Sequence, residues 1–271
     1  MAEEKKIIKK TKYNTTDLIP EKAFNRHIYH RDMFAHYFRW SHVLKTLRRD
    51  MKVLDFGCGA GSLAEVIYRN RFKAKEYLGL DIRTKTINSN NEIYKKQSWI
   101  NFQQMDLCDK NEYERNNDYD IVCSFEVIEH IGKHNGDIFL KNMSKYCNKN
   151  TIMLLSTPCY DEKVGAAKNH IIDGKVGEFT FDELKTLIEK YFVIEKTYGT
   201  FASQRDYKPL MNEWQTQMYN ALNDYYDVNL LSNLMAPLFP EHSRNCLWRC
   251  KLKNLCKECD AVKGGDFCDC E

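Results

Sequence analysis

No apolar run in this chain approaches the roughly 20 residues that a membrane-spanning helix needs. The polar start MAEEKKIIKK has no apolar segment of the kind a secretory signal carries, so cytosol is the expected compartment. Charge of one sign is missing too. The formal net charge is +3, too small by itself to argue for a nucleic-acid partner. There is no internal repeat, and the eleven cysteines make no secreted disulfide pattern. Cys58, Cys108, Cys123, Cys147, Cys159 and Cys246 lie in apolar strands or beside glycines, where a thiol behaves as a small core residue. In a reducing compartment they stay reduced.

What is present fits one large soluble domain with additions: 271 residues, 43% of them hydrophobic and 29% charged. Charge is unevenly placed. Residues 1–50 carry twelve Lys or Arg, six Asp or Glu and four histidines. The basic, aromatic-rich segment HIYHRDMFAHYFRWSHVLKTLRR reads as an amphipathic helix laying Phe34, Tyr37, Phe38 and Val43 on the domain. Contact with phosphate or an anionic substrate is the alternative.

Beyond it, strand-like and helix-like segments alternate. MKVLDF (51–56), EYLGLD (76–81), INFQQMD (100–106), YDIVCSF (119–125) and TIMLLST (151–157) read as strands. Helices are expected over 61–70, from Thr84 to about Gln97, and near Asp137–Cys147. This alternation demands parallel strands joined by crossover helices, an α/β sheet. FTFDELKTLIEKY (179–191) then reads as a helix with Thr180 as N-cap, FVIEKTYGT as a strand and NCLWRCKL (245–252) as the last strand. Between these last strands, about forty residues, Phe201–His242, read as a helical insertion. Insertions of that length usually serve a purpose, such as covering a site. Its Trp214, Tyr219, Tyr225 and Tyr226 could wall an aromatic acceptor or simply pack as a helix core.

The first strand runs into Asp55-Phe56-Gly57-Cys58-Gly59-Ala60-Gly61. Glycines there let the backbone turn tightly and approach a ligand, and the next helix offers its N-terminal amides. The spacing G-x-G-x-G with an acid before it departs from the dinucleotide fingerprint G-x-G-x-x-G. Asp55 would repel a pyrophosphate but suits a ligand carrying an ammonium. Asp81, closing the second strand, can accept both hydroxyls of a ribose. Met105-Asp106-Leu107 offers an apolar pair for an adenine and a carboxylate for its amino group. An adenosine bearing an amino acid, S-adenosylmethionine, fits all three.

The segments VLDFGCGAG, YLGLD, QMDL and YDIVCSFEVIEHI, in that order, resemble the class I S-adenosylmethionine-dependent methyltransferases, over roughly residues 50–200 and a last strand at 245–252. The resemblance implies a Rossmann-like α/β fold: a mostly parallel seven-stranded sheet with an antiparallel last strand. With the charge pattern and cysteine spacing, the expected organisation is a basic helical cover at 1–49, a methyltransferase domain at 50–253 with its helical insertion at 200–242, and a Cys-rich tail at 254–271. Gly57, Gly59 and Gly61 would hold the cofactor's methionine portion with Asp55 near its ammonium. Asp81 would bind the ribose and Asp106 the adenine, with Phe125 a further cofactor-binding position.

SFEVIEHIGKH (124–134) gathers Glu126, Glu129, His130 and His134 at the end of the fourth strand. If a helical turn starts at Ser124, Glu126, Glu129 and His130 share one face at i, i+3 and i+4. With His170 after the fifth strand they could converge on a divalent ion, the mixed O/N set suiting Mn, Fe, Co or Zn better than Mg. This E-x-x-E-H segment is similar to those of small-RNA 3′-terminal 2′-O-methyltransferases and quinone-biosynthesis O-methyltransferases, where a vicinal diol or catechol meets a metal. The competing reading makes Glu129 a cap or salt bridge and His130 a core histidine. Without metal, His130 or His170 is the candidate base, and His134 lies exposed. The tail places Cys256, Cys259, Cys268 and Cys270 as C-x2-C-x8-C-x-C, four thiolates for a zinc site or a flexible reduced tail. STPCY (156–160) follows the wrong strand, with one proline too few, for a DNA amino-methylating element, and Cys159 reads as structural. The sequence therefore points to a methyltransferase acting on a hydroxyl of a small molecule, nucleoside or RNA end, with no membrane and no duplex DNA as partners. The alternative is a cofactor-binding scaffold without transferase activity.

Overall fold

A computed structural model of the protein describes residues 31–70, 74–110, 118–166 and 170–253. The tail cysteines Cys256, Cys259, Cys268 and Cys270 and the arm before residue 31 lie outside the described residues.

A first helix, α1 (Arg31–Thr46), precedes the alternation β1 (Lys52–Phe56), α2 (Ser62–Arg69), β2 (Glu76–Asp81), α3 (Thr84–Tyr94), β3 (Ile100–Gln104) and β4 (Tyr119–Phe125). After α4 (Gly136–Ser144) come β5 (Cys147–Pro158), a hairpin of β6 (Ile171–Ile172) and β7 (Lys175–Val176), and α5 (Phe181–Ile188). The described residues end in β8 (Phe192–Ala202), the short α6 (Gln204–Tyr207), α7 (Glu213–Asn223), α8 (Val228–Met235) and β9 (Ser243–Leu252). The main sheet has seven strands in the order β3-β2-β1-β4-β5-β9-β8. Pairs from β3 to β5 are parallel, and β9 runs antiparallel to both β5 and β8. The reversed final strand expected of NCLWRCKL is thus β9, inserted between β5 and β8.

The strands form where they do because each central segment buries both faces. Along β1, Val53 points into a cluster with Ile67, Tyr77, Ile121 and Leu154, and Leu54 into one with Leu80, Val122, Phe139 and Trp248. Such two-sided burial needs a near-continuous apolar run. Thr180 caps α5 as expected, accepting from the Glu183 N–H while the Glu183 side chain bonds back, a reciprocal capping box. Helix α1 packs on the sheet through Trp40 and Val43, continued by Leu47 just past its end, with Ala35 also buried, Tyr37 half exposed and Phe38 half-buried. The buried stripe is therefore rotated from the expected one, and it carries Arg39 inward at 1% exposure. Cys58, Cys123, Cys147, Cys159, Cys246 and Cys250 are buried free thiols, and Cys108 is half-buried. Among the described residues no helix is long and apolar enough to cross a membrane.

Candidate active site

The carboxyl ends of β1, β2 and β4 meet at one edge of the sheet, the ligand-binding edge of an open α/β fold. The loop after β1 folds back on β2, where Gly57 N–H and Cys58 N–H both donate to the Leu80 carbonyl at 2.8 Å. Gly57, Gly59 and Gly61 all have positive φ, at 95°, 51° and 79°. At Gly57 the need for glycine is double: a Cβ would lie 2.4 Å from Val127 Cγ2, and L side chains avoid that backbone region.

Asp81 closes this loop from β2. Its Oδ2 accepts from Gly59 N–H at 2.9 Å, and its Oδ1 accepts from Arg83 N–H at 2.9 Å and Arg83 Nε at 3.0 Å. The Arg83 side chain is 61% exposed, so a diol competing for Asp81 displaces a guanidinium that water can receive. Asp55 lies beneath the loop, only 4% exposed. Its Oδ2 accepts from the Tyr77 hydroxyl at 2.6 Å, and Cys123 Sγ approaches Oδ1 at 3.9 Å. Burial first, then repulsion from Asp81, push its carboxyl up to about 7 against the opposing hydrogen bonds. Asp55, expected near the cofactor's ammonium, is thus buried at the base of the loop. Asp106 is exposed after β3, its Oδ1 accepting from Cys108 N–H at 2.9 Å. The apolar pair around it is split, with Met105 half-buried and Leu107 turned into the core.

The segment after β4 does not form the single-faced helical turn expected. The strand runs through Phe125, which is half-buried, and Glu126 reverses the chain at φ 58° before a 3₁₀ turn, Ile128–His130. Glu126 and Glu129 therefore diverge. Glu126 Oε1 pairs with Arg39 Nη1 at 2.6 Å and accepts from Ser156 Oγ at 3.0 Å, while Asn245 Nδ2 donates to Oε2 at 2.9 Å. Glu129 goes the other way and is 1% exposed. Its Oε2 accepts from Thr157 Oγ1 at 2.9 Å, and its Oε1 has no hydrogen-bond partner. That orphan oxygen lies 3.9 Å from His130 Nε2. The His130 and His170 rings meet edge to face with centroids 4.8 Å apart, and His170 Nδ1 is hydrogen-bonded to Glu178. Burial, then the neighbouring Glu126, hold the Glu129 carboxyl well above the usual carboxylate range. His134 is exposed and set apart, against Asn135.

A family model described as a methyltransferase domain matches residues 29–219. A ubiquinone biosynthesis O-methyltransferase of Rickettsia akari is 30% identical over 204 residues, covering 72% of this chain and 72% of that protein. The chain belongs to the class I S-adenosylmethionine-dependent methyltransferases. Solved structures agree at the level of fold. The methyltransferase domain of bacterial CtHen1 superposes with a TM-score of 0.52 at 17% identity, covering 80% of this chain and all (100%) of that one. A TehB-like methyltransferase of Corynebacterium glutamicum gives 0.51 at 13%, covering 83% and 98%.

The residues of this methyltransferase fit the cofactor its family uses: a glycine-rich loop at the end of β1 and a carboxylate at the end of β2. They also fit a divalent ion. Glu129, His130 and His170 each offer one ligand atom, all within 4.8 Å of one another. Neighbouring ligands on a common ion stand about 3–3.4 Å apart, given metal–ligand distances near 2.1 Å, so the widest separation has to contract by up to about 1.4–1.8 Å. The unpartnered Glu129 oxygen is what a cation would satisfy. Glu126, read from the sequence as a fourth ligand, is not in this group. Arg39, Thr157, Asn245 and Glu178, which hold the site together, escaped sequence reading because each acts through a contact distant in the chain or through the β6–β7 hairpin.

Proposed function

We propose that this methyltransferase transfers a methyl group to one hydroxyl of a vicinal diol or catechol, on a small molecule or a nucleoside end, with a divalent ion held by Glu129, His130 and His170. The observation that carries this reading is the buried, unpartnered Glu129 Oε1 facing His130 Nε2 at 3.9 Å. The name of the Rickettsia akari relative, an O-methyltransferase of ubiquinone biosynthesis, supports oxygen as acceptor. In this reading the enzyme works in the cytoplasm.

S-adenosylmethionine, when bound, supplies a methyl group on a positively charged sulfur. The metal, when bound, supplies a Lewis acid that lowers a hydroxyl's pKa. The chain's own residues do the rest. Gly57, Gly59 and Gly61 let the donor lie against backbone, and Asp81 fixes its ribose. Asp55 supports the loop from below, while Asp106 and Phe125 flank the adenosine. Glu129 and His170, both largely shielded, set the acceptor's orientation, and alignment is the main contribution an enzyme can make to an in-line displacement. His130 is the imidazole on the side open to water, its side chain 44% exposed: with an ion held there it serves as a ligand and water takes the acceptor's proton, and without one it is itself the base. Zinc on Cys256, Cys259, Cys268 and Cys270 is a separate proposal for the tail.

The test combines labelled S-adenosylmethionine, a panel of catechols, nucleosides and short RNAs, and elemental analysis of the full-length protein. Labelled product that disappears with chelator and returns with added metal supports the reading. Glu129→Gln is expected to lose one metal equivalent and turnover while binding adenosylhomocysteine normally; replacing the four tail cysteines by Ser isolates any zinc there. Undiminished turnover in Glu129→Gln would overturn the assignment.

A further inference from the structure

Glu178 lies outside every motif that marks the family, yet the fold takes unusual care over its position. The β6–β7 hairpin turns through Asp173 and Gly174, both at positive φ (50° and 73°), between paired Ile172 and Lys175, a two-residue turn of the kind that matches strand twist. His170 leads into this hairpin and Glu178 leads out. Gly177 N–H donates to the His170 carbonyl at 2.7 Å, which closes the hairpin's base. A Cβ on Gly177 would lie 2.1 Å from the Glu129 carbonyl oxygen. Only glycine lets the hairpin base touch the Glu129 backbone. On the far side of Glu178, Phe179 is bridged to Cys159, and its carbonyl accepts from Tyr160 N–H at 2.8 Å. Pinned on both sides, the Glu178 side chain is 7% exposed and reaches His170 Nδ1.

A neutral imidazole carries one proton, and the nitrogen that donates leaves the other as the acceptor. A carboxylate at Nδ1 therefore presents the Nε2 lone pair. Ligating histidines are commonly oriented in this way by a second carboxylate. We propose that Glu178 is the positioning residue of this site: it accepts a hydrogen bond from the Nδ1–H of His170, fixing the tautomer and ring angle that offer Nε2 to the ion beside Glu129 and His130. The proposal rests on the metal reading above.

The experiment uses the full-length, metal-free protein with Cys256, Cys259, Cys268 and Cys270 replaced by Ser, otherwise wild type, and cobalt(II) as the probe. In the wild type, ¹⁵N shifts of His170 are expected to show the Nδ1–H tautomer, and cobalt(II) to bind at one equivalent with its d–d absorption. Glu178→Ala is expected to bind cobalt(II) 10–100-fold more weakly and to lose the single tautomer. Its affinity for adenosylhomocysteine should stay within about twofold, since no cofactor position is touched. Glu178→Gln, whose amide oxygen still accepts from Nδ1, is expected to recover most of the affinity. An Nε2–H tautomer in the wild type overturns the proposal without needing any variant. So does wild-type cobalt(II) affinity in a folded Glu178→Ala. Failure of the wild type to bind cobalt(II) at all sinks the metal reading itself, and this proposal with it.

Discussion

Glu126 and Glu129 are three residues apart and have opposite electrostatic fates. Glu126 sits opposite a guanidinium with donors on both oxygens; Glu129 is buried with one oxygen unanswered. A neutral side chain at Glu126 should thus leave the metal in place. Glu126→Gln is expected to keep one metal equivalent with affinity within about threefold, where Glu129→Gln loses it. Equal loss in both, measured by cobalt(II) titration, would put Glu126 among the ligands. Asp55 poses the same question on the cofactor side. Its carboxyl is raised to about 7 by burial, so between about pH 4 and pH 7 the folded state binds more protons than the unfolded one. Stability must then fall as pH rises through that window. Asp55→Asn has no such proton to lose, and the wild type should lose up to about 4 kcal/mol relative to it between pH 4 and pH 8. Denaturant melts at the two pH values check this; a gap that does not change with pH would mean the carboxyl is ionised throughout.

Element by element, the tie between α1 and the sheet edge is the least expected. Arg39 is almost wholly buried, yet its charge reaches Glu126 beyond β4 and its Nη1 donates to Ser156 Oγ on β5 at 3.3 Å. Burial and the adjacent Arg39 push the His36 imidazole down to about 3, so this face of α1 carries one charge and not two. Removing one member of a buried pair costs about 3–5 kcal/mol, whereas replacing both with neutral groups of similar size costs far less. Arg39→Ala is expected to lower stability by that amount, and Arg39→Met with Glu126→Gln to recover most of it. An additive double variant would refute the coupling. The same elements mark what the sequence could reveal. Strands β1, β2, β4 and β5 were legible because two-sided burial writes a continuous apolar run into local sequence. The glycine loop was legible because its backbone needs no partner beyond its own residues. The reversal at Glu126 was not, because a glutamate at positive φ costs about 1 kcal/mol and is held there by Arg39, Ser156 and Asn245 from distant segments. Helix α4 ends at Ser144, short of the expected Cys147, because that cysteine already pairs with Tyr119 at the start of β5.

At the scale of the molecule, the core of the described residues comes in three parts. Two clusters line the two faces of the sheet, and a third belongs to the insertion: Ala202, Tyr207, Tyr219, Leu231, Met235, Ala236 and Phe239. Of the aromatics read as an acceptor wall, Tyr219 packs into this third cluster, while Trp214 and Tyr225 are 64% and 81% exposed. A small cluster covered by helices of eleven and eight residues has less apolar area to hold it than the sheet, and short helices depend on packing for their stability. Regions with few buried contacts open below the global unfolding free energy. Hydrogen exchange should therefore run faster in α7 and α8 than in β4 and β5, by a factor that shrinks as denaturant approaches the global midpoint. Adenosylhomocysteine should slow exchange around 55–61, 79–83 and 105–107 and leave α7 unchanged, because the residues proposed for the cofactor lie at the ends of β1 to β4 and none lies on α7. Slowing of α7 by a catechol or nucleoside acceptor, on top of the cofactor, would assign the insertion to acceptor binding. Equal protection of α7 and β5 in the free protein would show that the insertion is no separate unit of stability.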